Sequence, residues 1–482
     1  MENYDSESCD NEYSDQILGN PKLTDAIFRD VSTVVISSIS HNGQLIYVNY
    51  PTFAPFPPGA VQSELFANNN GKLSSIKTVP IDAFASNGSV GGGNVNKSFT
   101  LFTVLDDNNI NGATSIGRVR LFQINNFITP SATLLIQGII PGGLSGGIFT
   151  DDNRFIIISY TTALDGVLHL AVLETSTLTI LSVVDIQPSP VGSPPFPNNN
   201  KAVSNGPQTF QLCTKNRSKD NEDHKDNGCG CGSRHKHKNK DYDSKYRSKN
   251  YVVFGYATLF GPIGLTPSFI APAVFQVYRI SSVGQLFLID QVNQPQFPVA
   301  YFGLSTKSGK TRILVGDRPA LLLNQVTIFQ NTTNIQTFIP GDNKNLKLYS
   351  FNGRNLKLKA EKGFDEGAIV SNFYPEENSD GHLFAVARST GGQVNIPSQL
   401  GIISFFNISP GHCDNCDNDN CPRKLEINPI EDTFFTPPFA SSPLFGENGK
   451  WLVVGGGNQV TQNGGAPGIF NINLYRIKKE DK

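Results

Sequence analysis

The sequence predicts an all-β chain, a seven-bladed β-propeller of four-stranded antiparallel blades whose ring is closed by an N-terminal strand in the last blade. Three observations predict it. A hairpin phrase recurs at intervals along the 482 residues. No segment sustains the 3.6-residue apolar period of a capped helix, so helices should be few. The last repeat ends one strand short, while a strand-like segment precedes the first repeat and belongs to none.

The phrase is clearest in ISSISHNGQLIYVNY, residues 36–50. A small-residue strand enters a tight turn and leaves as an apolar strand. The same form returns in SGGIFTDDNRFIIISY (145–160), AYFGLSTKSGKTRILVGDR (300–318), AIVSNFYPEENSDGHLFAVAR (368–388) and ASSPLFGENGKWLVVGGG (440–457). Asn-Gly and Asp-Gly supply the positive φ angles that tight hairpin turns demand, so each phrase reads as an antiparallel hairpin. A second hairpin, of alternating polarity, occurs at 60–79, 118–137, 167–186, 274–292 and 345–360. Two hairpins make a four-stranded unit, and about seven units begin near residues 35, 83, 145, 207, 298, 367 and 437. Their spacing exceeds the ~40–50 residues usual for propeller blades, so the loops must be long. A ring of twisted sheets buries both faces of every blade and leaves only short edges. NINLYRI (471–477) reads as a third strand followed only by KKEDK, and LTDAIFRDV (23–31) supplies the missing outer strand.

Composition agrees. Charged residues are 17% of the chain, below the ~25% usual for globular proteins. The 45 Gly and 30 Pro fit many turns. A net charge of −2 gives no general attraction to nucleic acid or to an anionic membrane. The opening MENYDSESCDNEYSDQ lacks the apolar core of a secretory signal, and no stretch of ~18 apolar residues occurs. The expectation is a soluble protein, cytoplasmic or particle-associated, with an acidic disordered tail over 1–21 and the propeller over 22–482.

SHNGQLIYVNY (40–50) and NNNGKLSSIKTV (68–79) resemble the blade phrases of the lactonase-type seven-bladed propellers. The resemblance covers most of the chain at the level of fold. It implies a ring of this kind, in a family that includes sugar-lactone hydrolases and proteins used only for binding. No motif carries a catalytic residue across.

In such a ring, the loops joining strands 2 and 3 share one face with the segments between blades. The loops joining strands 1–2 and 3–4 occupy the other. The 2–3 loops read as 51–60, 257–273, 389–401 and 456–468, and the inter-blade segments 188–200 and 433–443 join them. None of these holds Asp, Glu, Lys or Arg. Phe, Pro, Asn and Gln suit a glycan or protein partner, so the leading reading is a non-catalytic scaffold. The alternative is a lactonase-type hydrolase acting on a sugar lactone or ester, which would gather titratable side chains at the channel mouth. Gly143-Leu144-Ser145-Gly146-Gly147 matches G-x-S-x-G, but a strand rather than a helix follows, which excludes a nucleophile elbow. His41, His169 and His382 read as structural.

Five of the seven cysteines fall in two short segments. Cys229 and Cys231 lie in HKDNGCGCGSRHKHK with His235 and His237, inside a basic, disordered insertion over 215–249. Cys413, Cys416 and Cys421 lie in GHCDNCDNDNCP, preceded by His412. The first joins strands 1 and 2 of the fourth blade and the second joins strands 3 and 4 of the sixth, which puts both on the face opposite the neutral loops. Cys413-x-x-Cys416 has the knuckle spacing of zinc sites, and thiolate with imidazole suits structural Zn²⁺. Disulfides or cross-links between copies, giving self-association, and free thiols are the competing readings. The insertion carries eleven Lys or Arg against six Asp or Glu, a net of about +5, while the first sixteen residues carry six acids; the leading reading is a solvated basic loop, and attraction between tail and insertion is the competing one.

Overall fold

A computed structural model describes residues 21–477 except 32–33, 41, 51, 54–57, 91, 111–113, 126–130, 163–166, 188–200, 216–245, 261–268, 271–272, 295–296, 306–310, 319–320, 324–335, 339–343, 364–366, 375–381, 390–400, 411–424, 437–440, 447–448 and 459–467. Seven four-stranded antiparallel paths follow one another in chain order. From the inside out, blade 1 is Val35–Ile39, Leu45–Asn49, Val61–Asn68 and Leu73–Pro80. Blade 2 is Ser89–Val90, Leu101–Ile110, Thr114–Asn125 and Ser131–Ile140. Blade 3 is Gly143–Phe149, Phe155–Thr161, Leu168–Glu174 and Ile180–Ile186. Blade 4 is Lys201–Lys215, Tyr246–Phe260, Ala273–Ile280 and Leu286–Gln294. Blade 5 is Phe297–Ser305, Thr311–Arg318, Leu346–Phe351 and Leu356–Lys362. Blade 6 is Gly367–Phe373, Leu383–Ser389, Gly401–Pro410 and Leu425–Thr436.

Blade 7 closes the ring. Its inner strands are Ser441–Phe445, Trp451–Asn458 and Gly468–Arg476, and its outer strand is Lys22–Val31. The register runs antiparallel from Lys22 opposite Arg476 to Val31 opposite Gly468. The expected closure is therefore the observed one. Among the described residues the one helical turn is Ala85–Asn87, and no helix is long and apolar enough to cross a membrane.

The core explains why the second strands are almost wholly apolar. Side chains alternate across a strand, yet both faces of a blade are covered. In FIIISY, Phe155 and Ile157 pack toward blade 4 with Phe254 and Tyr278. Ile156 and Ile158 pack the opposite way, with Leu105 and Val119 of blade 2. Among the described residues seven such clusters occur, one at each junction between neighbouring blades, including that between blades 7 and 1. Turn glycines fit into these junctions. Gly43 has φ +68°, and a Cβ there would lie 2.4 Å from Trp451 of blade 7.

Two boundaries differ from expectation. Blade 4 begins at Lys201 rather than near 207, because Lys201–Ser204 pair with Tyr256–Leu259 beyond a bulge at Ser204/Pro207. The same two strands also extend at their other end, to Lys215 opposite Tyr246, so those residues belong to the sheet and not to the insertion.

Candidate functional site

The 2–3 loops are not bare connections. Thr52–Phe53, in the 2–3 loop of blade 1, pairs with Ser89–Val90 of blade 2 and so stitches neighbouring blades. Phe269–Ile270, in the blade 4 loop, pairs back on Leu259–Phe260. The blade 5 loop forms its own hairpin, Leu321–Leu323 with Gln336–Phe338. Backbone groups in these loops thus find partners that the loop sequences do not announce.

Beneath this face, charge is paired. Arg29 of the N-terminal strand reaches across to blade 1, its Nε 2.7 Å from Glu64 Oε2 and its Nη2 3.0 Å from Oε1. Tyr50 Oη donates to the same carboxylate at 2.6 Å. In blade 2, Arg118 donates to Asp106 and Asp82, both at 2.8 Å, and Arg120 to Asp106 at 2.7 Å. The Arg118 guanidinium lies 4.3 Å from the centre of the Phe84 ring. In blade 5, buried Lys347 pairs with buried Asp317. These groups hold strands and segments together.

One arrangement on this face has the order of a nucleophilic relay. Tyr160, His169 and Asp185 stand opposite one another on strands 2, 3 and 4 of blade 3. His169 Nδ1 is 2.8 Å from Asp185 Oδ1, and His169 Nε2 is 3.2 Å from Thr162 Oγ1. The imidazole stacks on Tyr160 at 4.7 Å. With Nδ1–H donated to the carboxylate, Nε2 is left to accept the Thr162 hydroxyl. The His169 side chain is 12% exposed and Asp185 62%. His169 was expected to be structural; Thr162 and Asp185 were not singled out. The trio lies on the outer half of the blade, away from the channel mouth.

The opposite face carries the 1–2 and 3–4 turns. A groove of about 600 Å³ lies there between blades 2 and 3, walled by Leu101, Leu121, Leu135, Ile136 and Phe155. Asn153 Oδ1 and Thr175 Oγ1, on its lining, are buried without a hydrogen-bond partner among the described residues. Arg154 closes one side, donating to Ser282 O at 2.8 Å.

Cys229, Cys231, His235, His237, His412, Cys413, Cys416 and Cys421 all lie outside the described residues. Their flanking strands end on the turn face, at Lys215 and Tyr246 and at Pro410 and Leu425. Among the described residues no group of three or more His, Cys, Asp and Glu could hold a metal ion.

No family model matches the chain, and neither does any curated protein. Among solved structures it is similar to the Dos1 propeller, at 11% identity over 95% of each chain and a TM-score of 0.41. It is similar too to a functionally unknown protein from Desulfotomaculum acetoxidans, at 8% identity over 88% of each chain and a TM-score of 0.42. The propeller domain of the Trilobed protease from Pyrococcus furiosus matches at 8% identity over 88% of this chain and 91% of that one, with a TM-score of 0.33. The likeness extends to the fold alone.

Proposed function

We infer that the chain is a non-catalytic scaffold, a coat or particle component, that holds a glycan or protein partner on its neutral loop face. The observation that supports this is the backbone pairing of short charge-free loop segments, above all of Thr52–Phe53 with Ser89–Val90. Segments held before binding lose less entropy on binding. The test is binding to glycan and peptide arrays by the intact chain and by a variant whose 389–401 loop is replaced with a short Gly-Ser linker. Retained melting temperature with lost binding is expected. Equal binding by both, or by neither, contradicts the reading.

The hydrogen bonds of Thr162, His169 and Asp185 support a second reading, the lactonase-type or esterase activity, at the outer half of blade 3 rather than at the channel mouth where such a site was expected. There the Thr162 hydroxyl would attack a lactone or ester carbonyl and pass its proton to His169; the C–O bond to the leaving alcohol breaks as His169 returns that proton to it, and water then hydrolyses the acyl-threonine. Turnover on a lactone panel that falls by roughly 10²-fold or more in Thr162→Ala, with folding unchanged, supports it. Turnover no faster than the uncatalysed reaction removes it.

Structural zinc is part of the same proposal. The strands that flank the segments of Cys229, Cys231, His235 or His237 and of Cys413, Cys416 and Cys421 end on one face, where a shared Zn²⁺ would clamp the insertion to the ring. Elemental analysis of protein purified with reductant should give one zinc per chain. Zinc-free protein with the same melting temperature before and after chelation excludes it.

A further inference from the structure

Among the described residues each blade has an outer strand with no strand paired to its far edge, and free edges are ordinarily blunted by charge. Six of the seven outer strands hold at least one charged residue. Lys77 lies in blade 1, Asp185 in blade 3, Asp290 in blade 4, where it accepts from Leu356 N of blade 5, Lys357 in blade 5, Glu426 in blade 6 and exposed Lys22 in blade 7. Blade 2 does not. Its outer strand Ser131–Ile140, SATLLIQGII, carries no charge, and the chain from Leu121 to Thr150 holds no Asp, Glu, Lys, Arg or His. Leu134, Leu135 and Ile139 are 48, 50 and 58% exposed. The strand pairs with Thr114–Asn125 on one side and has no strand partner on the other among the described residues.

We propose that this edge pairs antiparallel with the same edge of a second copy of the chain, joining two rings rim to rim. The observations favour a second copy for a definite reason. An antiparallel strand placed against itself about a two-fold axis is self-complementary, with the same patch on both copies. In blades 5 and 7 that operation sets several charged side chains beside their counterparts. In blade 2 it sets only apolar and amide groups together. Pro130 and Pro141 bracket the strand. Proline cannot donate to a ladder, so pairing stops there and yields a dimer rather than an open-ended stack. An edge of ten residues belongs with the smallest interfaces, under ~1,200 Å², so the dimer is weak and concentration-dependent.

The test is sedimentation velocity of the full chain from about 1 to about 200 μM, with reductant present so that cysteine cross-links contribute nothing. Mass should double across that range for the unaltered chain. Ile139→Lys and Gln137→Lys, both at exposed positions, should stay monomeric throughout and keep their melting temperature. Leu181→Lys, at an exposed apolar position on the blade 3 outer strand, should dimerise as the unaltered chain does. A monomer at every concentration overturns the proposal. So does a dimer that persists in both Ile139→Lys and Gln137→Lys, or one lost equally in Leu181→Lys.

Discussion

Arg29 and Glu64 show how a single ion pair does the work of a closure. Arg29 belongs to the first strand of the chain and to the last blade, while Glu64 belongs to blade 1. The Glu64 side chain is 4% exposed. Removing the guanidinium leaves a buried carboxylate without its cation, which typically costs about 3–5 kcal/mol. Arg29→Ala should lower the urea-unfolding free energy by that order, and Glu64→Gln by less, since it leaves no uncompensated buried anion. Burial by itself raises the Glu64 carboxyl, but hydrogen bonds from Arg29, Tyr50 and Ser75 outweigh it and hold it below the ordinary range. For Asp82, burial is likewise outweighed by Arg118 and Arg120. A folded value below the unfolded one means that the unfolded chain binds protons more readily. These carboxylates therefore stabilise fully above an unfolded pKa of about 4, and the contribution is lost as pH falls through the folded values. Stability measured from pH 6 down to about pH 2.5 should decline below pH ~4, less steeply in Glu64→Gln. An identical decline in that variant contradicts the assignment.

Within one strand, alternation sorts side chains between two junctions. Ile157 packs toward blade 4 and Ile158 toward blade 2, and both are wholly buried. Ile157→Ala and Ile158→Ala should each cost about 2–5 kcal/mol. Because they empty different cores, the double variant should cost their sum to within about 0.5 kcal/mol. Denaturant titrations of the three variants measure this, and strong non-additivity would place both residues in one core. This pattern was legible in the sequence, since a continuous apolar run beside an Asn- or Gly-bearing turn reads as a strand covered on both sides. The closing strand was legible too, because LTDAIFRDV reads as a strand that belongs to neither hairpin of the first repeat. The relay of Thr162, His169 and Asp185 was not. It depends on register across three strands, and a bulge between Val172 and Leu173 shifts that register without a local sequence mark. The network of Asp82 with buried Asp106, Arg118 and Arg120 was missed because it joins an inter-blade segment to two strands. The Cys and His segments were legible as motifs, but they lie outside the described residues.

In the whole molecule, seven junctions of similar construction follow one another around the ring, and each depends on both neighbours. The junction between blades 7 and 1 is the one that chain connectivity does not enforce. It is built by Lys22–Val31, which adds the fourth strand to blade 7 and carries Arg29 to blade 1. Thr24 Oγ1 donates to Leu474 O at 2.9 Å, and Asp25 Oδ2 accepts from Leu73 N at 2.7 Å, so the strand is tied on both sides. Hydrogen exchange of the native chain, followed on peptides spanning 22–31 and 468–476, tests this closure directly. Slow exchange in both segments, with the protected amides of 22–31 opening together with those of 468–476, is the result a closed ring predicts. Exchange of 22–31 at the rate of a free chain, while 468–476 stays protected, would contradict it.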